Sequence, residues 1–526
     1  MADIEYFKFT STRSTFSTFK MLSYGSDFTN QLPSFVKDYW YLLIILITLC
    51  FGINWLYNKW IKDIKEETPI FKQFTFLIII SIVIISIGRG WSLRPISPLN
   101  ASQYTADQNT PLVLNSAFTI IKSAGKQSLD EKTFFKDSIS IKNWFNPIKI
   151  YNSNAKLNQP NIVILMLESF SVEYIGAINH ELSTQTPFLD SLIQQSLVFE
   201  HCYANGKKSI DAVPSVVSSL PKLMPGEFIT SSYATNQLES LPEHLEKIGY
   251  TSTFYHGATN GSMNFTGFTS KVKFSNYMGR TEYGDDKDYD GTWGIFDHLF
   301  LPWAVKDMSQ LQTPFFSTIF SLSSHPPYAI PDDLRKRFSG GLTDMQNSVM
   351  YSDFALQTFF NEAKQTDWYS NTLFVITADH TPSTRNPLYY NDMGVMHIPL
   401  VLFHPNNEQL KGVSKKIVGQ IDIMPTVLDL IGYQDPFYSF GESVFSDHDG
   451  FTVVQLGNKY LVYGLGHFMV FKNGRATKMY EIDDKSLENN LLMDKPELVK
   501  VLKNKLLAYI QTYHNGMINN TLSASE

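Results

Sequence analysis

The sequence predicts an α/β protein in which a mostly parallel central sheet carries helices on both faces. Short apolar runs with no charge before their last residue recur between residues 160 and 405, as in strands that are covered on both faces. Segments with helical spacing of apolar residues lie between these runs, and this alternation is typical of a parallel sheet. A further observation, two long apolar segments near the amino terminus, predicts transmembrane helices in front of this domain.

Composition limits the class of protein. The chain has 526 residues, of which 43% are hydrophobic and 18% charged, so it can bury a large core in more than one folding unit. Its formal net charge of -7 argues against a general nucleic-acid-binding protein, and we expect no nucleic-acid partner. Cys50 and Cys202 form no Cys-x-x-Cys pattern, so neither a disulfide framework nor a cysteine-based metal motif is expected.

The amino-terminal region, residues 1–92, is predicted to hold two transmembrane helices at about residues 40–57 and 73–88, because both segments are apolar over nearly the length that spans a bilayer. The alternative is that both are core elements of a soluble domain. The loop between them carries four lysines, at positions 59, 62, 65 and 72. The positive-inside rule places this loop in the cytoplasm and both termini outside.

Three regions follow the membrane region. Residues 93–159 are polar and contain prolines and asparagines, which predicts a juxtamembrane linker. Residues 160–440 contain the alternating strands and helices. Residues 441–526 contain short strands with Gly-Asn and Asn-Gly turns and then an amphipathic helix, which predicts a small antiparallel carboxyl-terminal subdomain.

Polar side chains follow two of the predicted strands. Glu168 ends the apolar run that starts at Asn161, and Asp379 and His380 end the run that starts at Thr372. Ligands of parallel sheets bind at the carboxyl ends of the strands, so these three side chains are expected at one edge. Each of them alone fits an ordinary strand-end turn. Together, two carboxylates and an imidazole are a ligand set for a divalent metal.

A candidate nucleophile lies between the first two predicted strands. Asn205-Gly206 is a turn, and Ser209 opens an apolar helical pattern. Backbone N–H groups at a helix start favour anions and a developing alkoxide. Lys207 and Lys208 add positive charge suited to a phosphate or sulfate group. Considered alone, Ser209 fits the N-cap of this helix better than it fits a nucleophile.

Several motifs occur in a fixed order across about residues 160–435: NIVILMLESFS, the long segment from TPFLDSL to SVVSSLP, SLSSHPPY, LFVITADHTP, MHIPLVLFHP and QIDIMPTVLDLIGY. In this order and spacing the chain resembles the sulfatase and alkaline-phosphatase superfamily. It is most similar to the membrane-bound branch that contains lipoteichoic acid synthase and related phosphoglycerol transferases. The resemblance implies an enzyme with an alkaline-phosphatase-like sheet, with the small antiparallel subdomain packed on the sheet edge.

The resemblance also assigns roles to residues. Ser209 matches the family's hydroxyl nucleophile, which is more often threonine and also touches the metal. Three residues match the metal ligands: Glu168, Asp379 and His380. Histidines that border the substrate group or a second metal in relatives are matched by His325, His256 and His397, although each could instead be a core histidine. We expect one divalent metal ion, with Mn²⁺ favoured and Zn²⁺ or Mg²⁺ as alternatives.

Two features depart from the family pattern. The sulfatase signature x-Pro-x-Arg does not follow Ser209, where Ile210, Asp211 and Ala212 stand instead, so phospho-transfer is expected rather than sulfatase activity. Relatives usually carry five membrane helices, and this chain shows two. Its opening segment resembles the loop after the third helix of those relatives, so the chain is expected to be either a shortened variant or the product of an incomplete gene model.

The expected reaction is the two-step transfer of a phospho-head group, phosphoglycerol or similar, through a covalent phospho-serine. The donor would be a membrane lipid and the acceptor a glycan or a lipid. The expected location is the bacterial inner membrane, as a multi-pass protein with its catalytic domain on the outer side. Two alternatives stay open: a sulfatase-like hydrolase of phosphate or sulfate esters, and an inactive membrane module that binds a glycan or a partner.

Overall fold

The chain forms two units, Met1–Ser128 and Leu129–Glu526, in the computed structural model. The residues that the structure describes are 13, 16, 40–60, 69–89, 96–105, 109–125, 128–151, 157–180 and 184–524. Among these residues, the α-helices of the first unit are α1 (Trp40–Trp60), α2 (Ile70–Arg89), α3 (Thr110–Val113) and α4 (Ser116–Ser123).

Helix α1 is long and apolar enough to cross a membrane, which agrees with the first predicted span. Helix α2 covers the second predicted span, but its described apolar stretch, Ile70–Ile84, is shorter than a full crossing. Apolar side chains on both helices are open to solvent, including Phe51 and Phe71. Apolar surface of this kind marks contact with a membrane or another protein. A second crossing therefore stays a prediction.

The second unit is built on an eight-stranded sheet with the order β5-β4-β6-β2-β7-β8-β3-β9. Its strands are β2 (Asn161–Leu167), β3 (Leu197–Tyr203), β4 (Thr251–His256), β5 (Asn276–Met278), β6 (Phe315–Phe320), β7 (Thr372–Ala378), β8 (Leu400–Phe403) and β9 (Gly412–Gly419). All neighbouring pairs are parallel except those of β8, which runs antiparallel to both β7 and β3. The predicted mostly parallel α/β sheet is therefore confirmed.

The two central strands explain why the apolar runs are continuous. Every residue of β2 and of β7 is buried, because helices cover both faces of the sheet. These helices and the others of this unit are α5 (Ser138–Lys142), α6 (Gly176–Asn179), α7 (Pro187–Ile193), α8 (Ser209–Ser218), α9 (Leu241–Glu246), α10 (Phe265–Lys271), α11 (Arg280–Tyr283), α12 (Asp297–Met308), α13 (Asp332–Arg335), α14 (Asp344–Ala363), α15 (Pro387–Tyr390), α16 (Ile423–Leu430) and α17 (Pro496–Asn519).

The carboxyl-terminal part is the predicted antiparallel meander, a four-stranded sheet of β11 (Phe451–Leu456), β12 (Lys459–Gly464), β13 (His467–Lys472) and β14 (Arg475–Glu481). A separate pair joins β1 (Ile148–Lys149) to β10 (Phe437–Tyr438). Asn473 and Gly474 both have positive φ, of 51° and 78°, as a two-residue turn of type I′ between β13 and β14 requires.

A buried carboxylate anchors the start of α7 on α14. Asp353 accepts hydrogen bonds from the backbone N–H groups of Phe188 and Leu189, both at 2.9 Å. Burial raises the pKa of Asp353 from 3.8 to about 7. The folded protein therefore keeps a proton on this carboxyl that the unfolded chain releases at lower pH.

Stability is expected to fall as the pH rises through this range. The raised pKa of Asp353 adds to the free energy of unfolding. This addition is complete below about pH 4 and is lost as the pH passes about 7. The variant Asp353→Asn cannot ionise, so its melting temperature should change less with pH than that of the wild type over that interval. Thermal unfolding at a series of pH values measures the difference, and parallel curves for the two proteins would contradict the assignment.

Candidate active site

The register of β2 and β7 brings two strand-end carboxylates together. Leu167 lies opposite Ala378 at the end of this parallel pair, so Glu168 and Asp379 leave the sheet side by side. The backbone N–H of Asp379 donates to the carbonyl of Leu167 at 3.1 Å, which extends the ladder by one residue. The carboxyl-end edge of the sheet is where ligands bind in such folds.

His380 completes a cluster with these two carboxylates. One ligand atom from each of Glu168, Asp379 and His380 lies within 4.8 Å of the other two. The Nε2 atom of His380 is 3.3 Å from Asp379 Oδ2 and 3.8 Å from Glu168 Oε1. The three predicted metal ligands are therefore neighbours in space, and both carboxylates are almost completely buried.

Hydrogen bonds fix the orientation of each group in this cluster. Asp379 Oδ1 accepts the backbone N–H groups of Ser169 and His380, both at 2.7 Å. His380 Nδ1 lies 3.0 Å from the carbonyl of Thr381. The tautomer that donates this hydrogen bond leaves the Nε2 lone pair directed at the carboxylates, as in metal-binding histidines. Glu168 Oε1 accepts from the Ser169 hydroxyl at 2.6 Å, and Ser169 is held at a φ of 54° that non-glycine residues seldom adopt.

Two observations fit this cluster to a divalent cation. The buried Oδ2 atom of Asp379 receives no hydrogen bond from any residue that the structure describes. Burial, and then the negative charge of Asp379, raise the pKa of Glu168 well above its usual value. No lysine or arginine among the described residues forms an ion pair with either carboxylate. Two buried carboxylates beside an imidazole are costly without a cation, and they form a suitable ligand set for one.

Ser209 lies against the same cluster. It is the first residue of α8, its hydroxyl is buried, and Oγ lies 3.3 Å from Glu168 Oε2, to which it donates a hydrogen bond. Lys208, not Ser209, takes the N-cap position of the helix. The hydroxyl is therefore not used in capping. It lies at the positive end of a ten-residue helix, where negative charge on oxygen is favoured.

The two lysines next to Ser209 have other partners. Lys207 Nζ donates to the carbonyls of Thr381 at 2.7 Å and Val395 at 3.2 Å, and also to the Thr381 hydroxyl. Burial lowers the pKa of Lys207 to about 8. Lys208 pairs with Glu227 at 2.5 Å on the surface. The Lys207 side chain is thus directed into the protein and bound to its main chain. Contact of Lys207 and Lys208 with the substrate stays a prediction.

The three predicted substrate histidines lie outside the cluster of four. His256, at the end of β4, is buried, and its Nδ1 is 3.2 Å from the Tyr277 hydroxyl. His397 is also buried, with Nε2 2.7 Å from the carbonyl of Glu200, and burial lowers its pKa to about 3, so it is neutral. His325 is partly open to solvent, and its ring lies 4.2 Å from that of Trp293. None of the three forms a hydrogen bond with the four clustered side chains within the described residues.

The structure also shows site residues that the sequence did not single out. Gln420 is completely buried and hydrogen-bonds the main chain next to Asp379. Asn205, known from the sequence only as part of a turn, bonds to Gln420. The motif QIDIMPTVLDLIGY contains Gln420, but its sequence gives no sign that this polar residue is turned inward.

Comparisons with known proteins agree with this geometry. The Sulfatase family model matches residues 160–433. Lipoteichoic acid synthase 1 of Bacillus subtilis is 25% identical over 503 residues, which cover 87% of this chain and 75% of that protein. Lipoteichoic acid synthase of Staphylococcus aureus strain NCTC 8325 is 24% identical over 492 residues, covering 85% and 72%. The resemblance inferred from the motifs is therefore confirmed.

Solved structures share the fold. An alkaline phosphatase superfamily protein from Vibrio parahaemolyticus superposes with a TM-score of 0.65 at 23% identity, covering 73% of this chain and 97% of that one. Lipoteichoic acid synthase LtaP from Listeria monocytogenes superposes with a TM-score of 0.58 at 21% identity, covering 75% and 96%. At these identities the likeness establishes the fold alone.

Proposed function

Because the chain belongs to the sulfatase family, we propose that it is a membrane-anchored transferase that moves a phospho-head group from a lipid donor to a glycan or lipid acceptor. Its relatives named as lipoteichoic acid synthases suggest phosphoglycerol as the group. The observation that carries the proposal is the Ser209 hydroxyl at a helix start, 3.3 Å from Glu168 within the cluster of Asp379 and His380.

The metal is part of the proposal. The residues that would hold it are Glu168, Asp379 and His380, with the Ser209 hydroxyl beside them. A bound divalent cation would stabilise the alkoxide of Ser209 and polarise a phosphoryl oxygen. Mixed carboxylate and imidazole ligands admit Mn²⁺, Zn²⁺ and Mg²⁺, and Mn²⁺ is the first ion to test.

The protein residues account for the transfer as follows. Ser209 Oγ attacks the phosphorus of the donor, and the bond between phosphorus and the oxygen of the diacylglycerol-like alcohol breaks. The serine proton passes to Glu168 Oε2, which already accepts it in a hydrogen bond, and then to the oxygen of the departing alcohol. The backbone N–H groups at the start of α8 favour the negative charge on the transferred group. An acceptor hydroxyl then attacks the phosphorus, the bond between phosphorus and Ser209 Oγ breaks, and the proton of the acceptor hydroxyl ends on Oγ.

Mass spectrometry of the full-length protein tests the covalent step. The protein in detergent is incubated with Mn²⁺ and phosphatidylglycerol vesicles, quenched in acid and digested with trypsin. We expect a phosphoglycerol adduct on the peptide from Ser209 to Lys222, located on Ser209 by fragmentation because the peptide contains other serines. The variant Ser209→Ala is the control. Release of diacylglycerol without any such adduct would contradict the covalent route.

The same reaction distinguishes a transferase from a hydrolase. Both would form the adduct, and they differ in the group that accepts it. Addition of a glycolipid acceptor should convert the adduct into a phosphoglycerol-bearing glycolipid. Free glycerol phosphate as the main product, at saturating acceptor, would favour the hydrolase.

Topology is tested in intact cells. We propose that the loop between α1 and α2 is cytoplasmic and that the carboxyl terminus is outside. Lys62, in that loop, lies outside the described residues. A membrane-impermeant maleimide should not label Lys62→Cys in a Cys50→Ser background, whereas an antibody should reach a carboxyl-terminal tag. Both sites should react after permeabilisation. Reaction at both or at neither in intact cells would contradict the two-helix topology.

A further inference from the structure

The loop that carries the nucleophile is joined to the strand that carries two metal ligands by one buried side chain, Gln420. Its Nε2 atom donates to the carbonyls of Ala378 at 2.8 Å and Asp379 at 2.7 Å. Its Oε1 atom accepts the backbone N–H of Asn205 at 2.9 Å, four residues before Ser209. Gln420 is completely buried, so both protons and one lone pair of its amide are committed to these two segments.

Asn205 extends this connection to the carboxyl-terminal meander. Its Oδ1 accepts the backbone N–H of Ile421 at 3.1 Å, and its Nδ2 donates to Thr452 Oγ1 at 2.7 Å and to the Val453 carbonyl at 3.0 Å. The backbone of Gly419 passes so close that a Cβ there would lie 2.2 Å from Thr452 Oγ1. The backbone at residues 419–421 is therefore packed closely against the meander and hydrogen-bonded to Asn205, which supports the position of the Gln420 side chain.

A second connection lies on the other side of the same loop. Lys207 Nζ bonds to the carbonyl of Thr381, just after His380. The loop from Asn205 to Ser209 is thus attached at two points: through Gln420 to the main chain of Ala378 and Asp379, and through Lys207 to Thr381, just after His380. Two attachments on either side of the ligands restrict both the distance and the angle between the hydroxyl and the ligand atoms.

We propose that Gln420 is a positioning residue that sets the placement of Ser209 relative to Asp379 and His380, and that it thereby controls both metal affinity and the transfer step. The inference rests on the proposed function of this site. A positioning role predicts losses of rate and of metal affinity, which a purely structural role does not. A displacement of about 1 Å at a reacting group lowers the rate on the order of 100-fold, and loss of support behind metal ligands lowers affinity about 10–100-fold.

The chain offers a matched control in Gln511. This buried glutamine on α17 also makes three hydrogen bonds to the main chain: to the N–H groups of Phe134 and Phe135 at 2.7 and 2.8 Å, and to the carbonyl of Phe135 at 3.0 Å. None of these partners belongs to the site. Replacement of either glutamine by methionine removes three hydrogen bonds at nearly constant volume.

The experiment compares Gln420→Met, Gln511→Met and the wild type as full-length proteins in detergent. The melting temperature of each protein is measured first. Free Mn²⁺ is then followed by electron paramagnetic resonance in a titration, and kcat and KM are determined for phosphatidylglycerol. Both of these experiments are done well below the lowest melting temperature. We expect similar losses of melting temperature in both variants. Only Gln420→Met should lose Mn²⁺ affinity and kcat, each by about 10-fold or more, with KM little changed.

Equal kcat and Mn²⁺ affinity in the two variants would overturn the proposal. Should Gln420→Met not fold, Gln420→Glu takes its place, because its protonated carboxyl keeps the shape, the acceptor for Asn205 and one of the two donors to Ala378 and Asp379. If neither variant folds while Gln511→Met does, Gln420 is a folding residue and the proposal is wrong. Absence of turnover in the wild type would instead contradict the proposed function, and the Mn²⁺ titration would still test the position of Asp379.

Discussion

Ser209→Ala is expected to abolish turnover and to leave the fold intact. The hydroxyl removed is the proposed nucleophile at the start of α8, and loss of a catalytic serine lowers kcat by more than about a thousandfold. The structural cost is small. Lys208 holds the N-cap position, alanine is the best helix former, and the hydrogen bond lost is one 3.3 Å contact worth about 1 kcal/mol.

Ser209→Thr is the matched variant. It keeps a hydroxyl at the same place, and the family's nucleophile is more often threonine, so part of the turnover should remain. Turnover and melting temperature are measured together in both variants. An alanine variant with near-normal turnover would remove the covalent mechanism and would leave Glu168, Asp379 and His380 to serve a direct attack by the acceptor.

Substitution of Asp379 should cause the largest loss of metal. In Asp379→Asn the amide oxygen can still accept the N–H groups of Ser169 and His380. The Oδ2 atom, which lies 3.3 Å from His380 Nε2 and receives no hydrogen bond from the described residues, is replaced by NH₂. We expect the metal content after purification to fall to background by elemental analysis, and turnover with it. Asp379→Ala should give the same loss of metal at a larger cost in stability.

Metal removal should change the melting temperature of the wild type but not that of this variant. A cation at 100 times its dissociation constant stabilises the wild type by about 2.7 kcal/mol, so chelation should lower its melting temperature. Asp379→Asn should not respond to chelation. In the presence of chelator it should melt no lower than the wild type, because one of two adjoining buried carboxylates is gone and the pKa of Glu168 is no longer raised by its neighbour.

Asp353→Asn provides the control for this experiment. Asp353 is also a buried carboxylate that accepts two backbone N–H groups, but it lies on α14 and supports the start of α7. Its variant should respond to Mn²⁺ and to chelator as the wild type does. If Asp379→Asn retained full metal content, the assignment of the site would be wrong.

Much of the site could be predicted from the sequence because its elements are local. A continuous apolar run specifies a strand buried on both faces, and the first polar residue after it must leave the sheet at its carboxyl end. Glu168, Asp379 and His380 are such residues, and Ser209 follows a turn and opens a helix. Burial periodicity and turn chemistry act over a few residues, so they can be recognised without knowledge of the strand order.

Other features were decided by the tertiary structure alone. Three such features depend on contacts between segments that are far apart in the chain. They are the antiparallel pairing of β8 with β7, the hydrogen bond of the partly buried Lys207 to Thr381, and the hydrogen bonds of Gln420 to Asn205 and Asp379. Such contacts depend on the register between strands and on which neighbour each strand pairs with. A glutamine or a lysine is polar in any sequence pattern. Such a side chain is buried only where it can form hydrogen bonds with main-chain groups that lack other partners. This requires the fold to bring two main-chain segments within about 3 Å of its polar atoms.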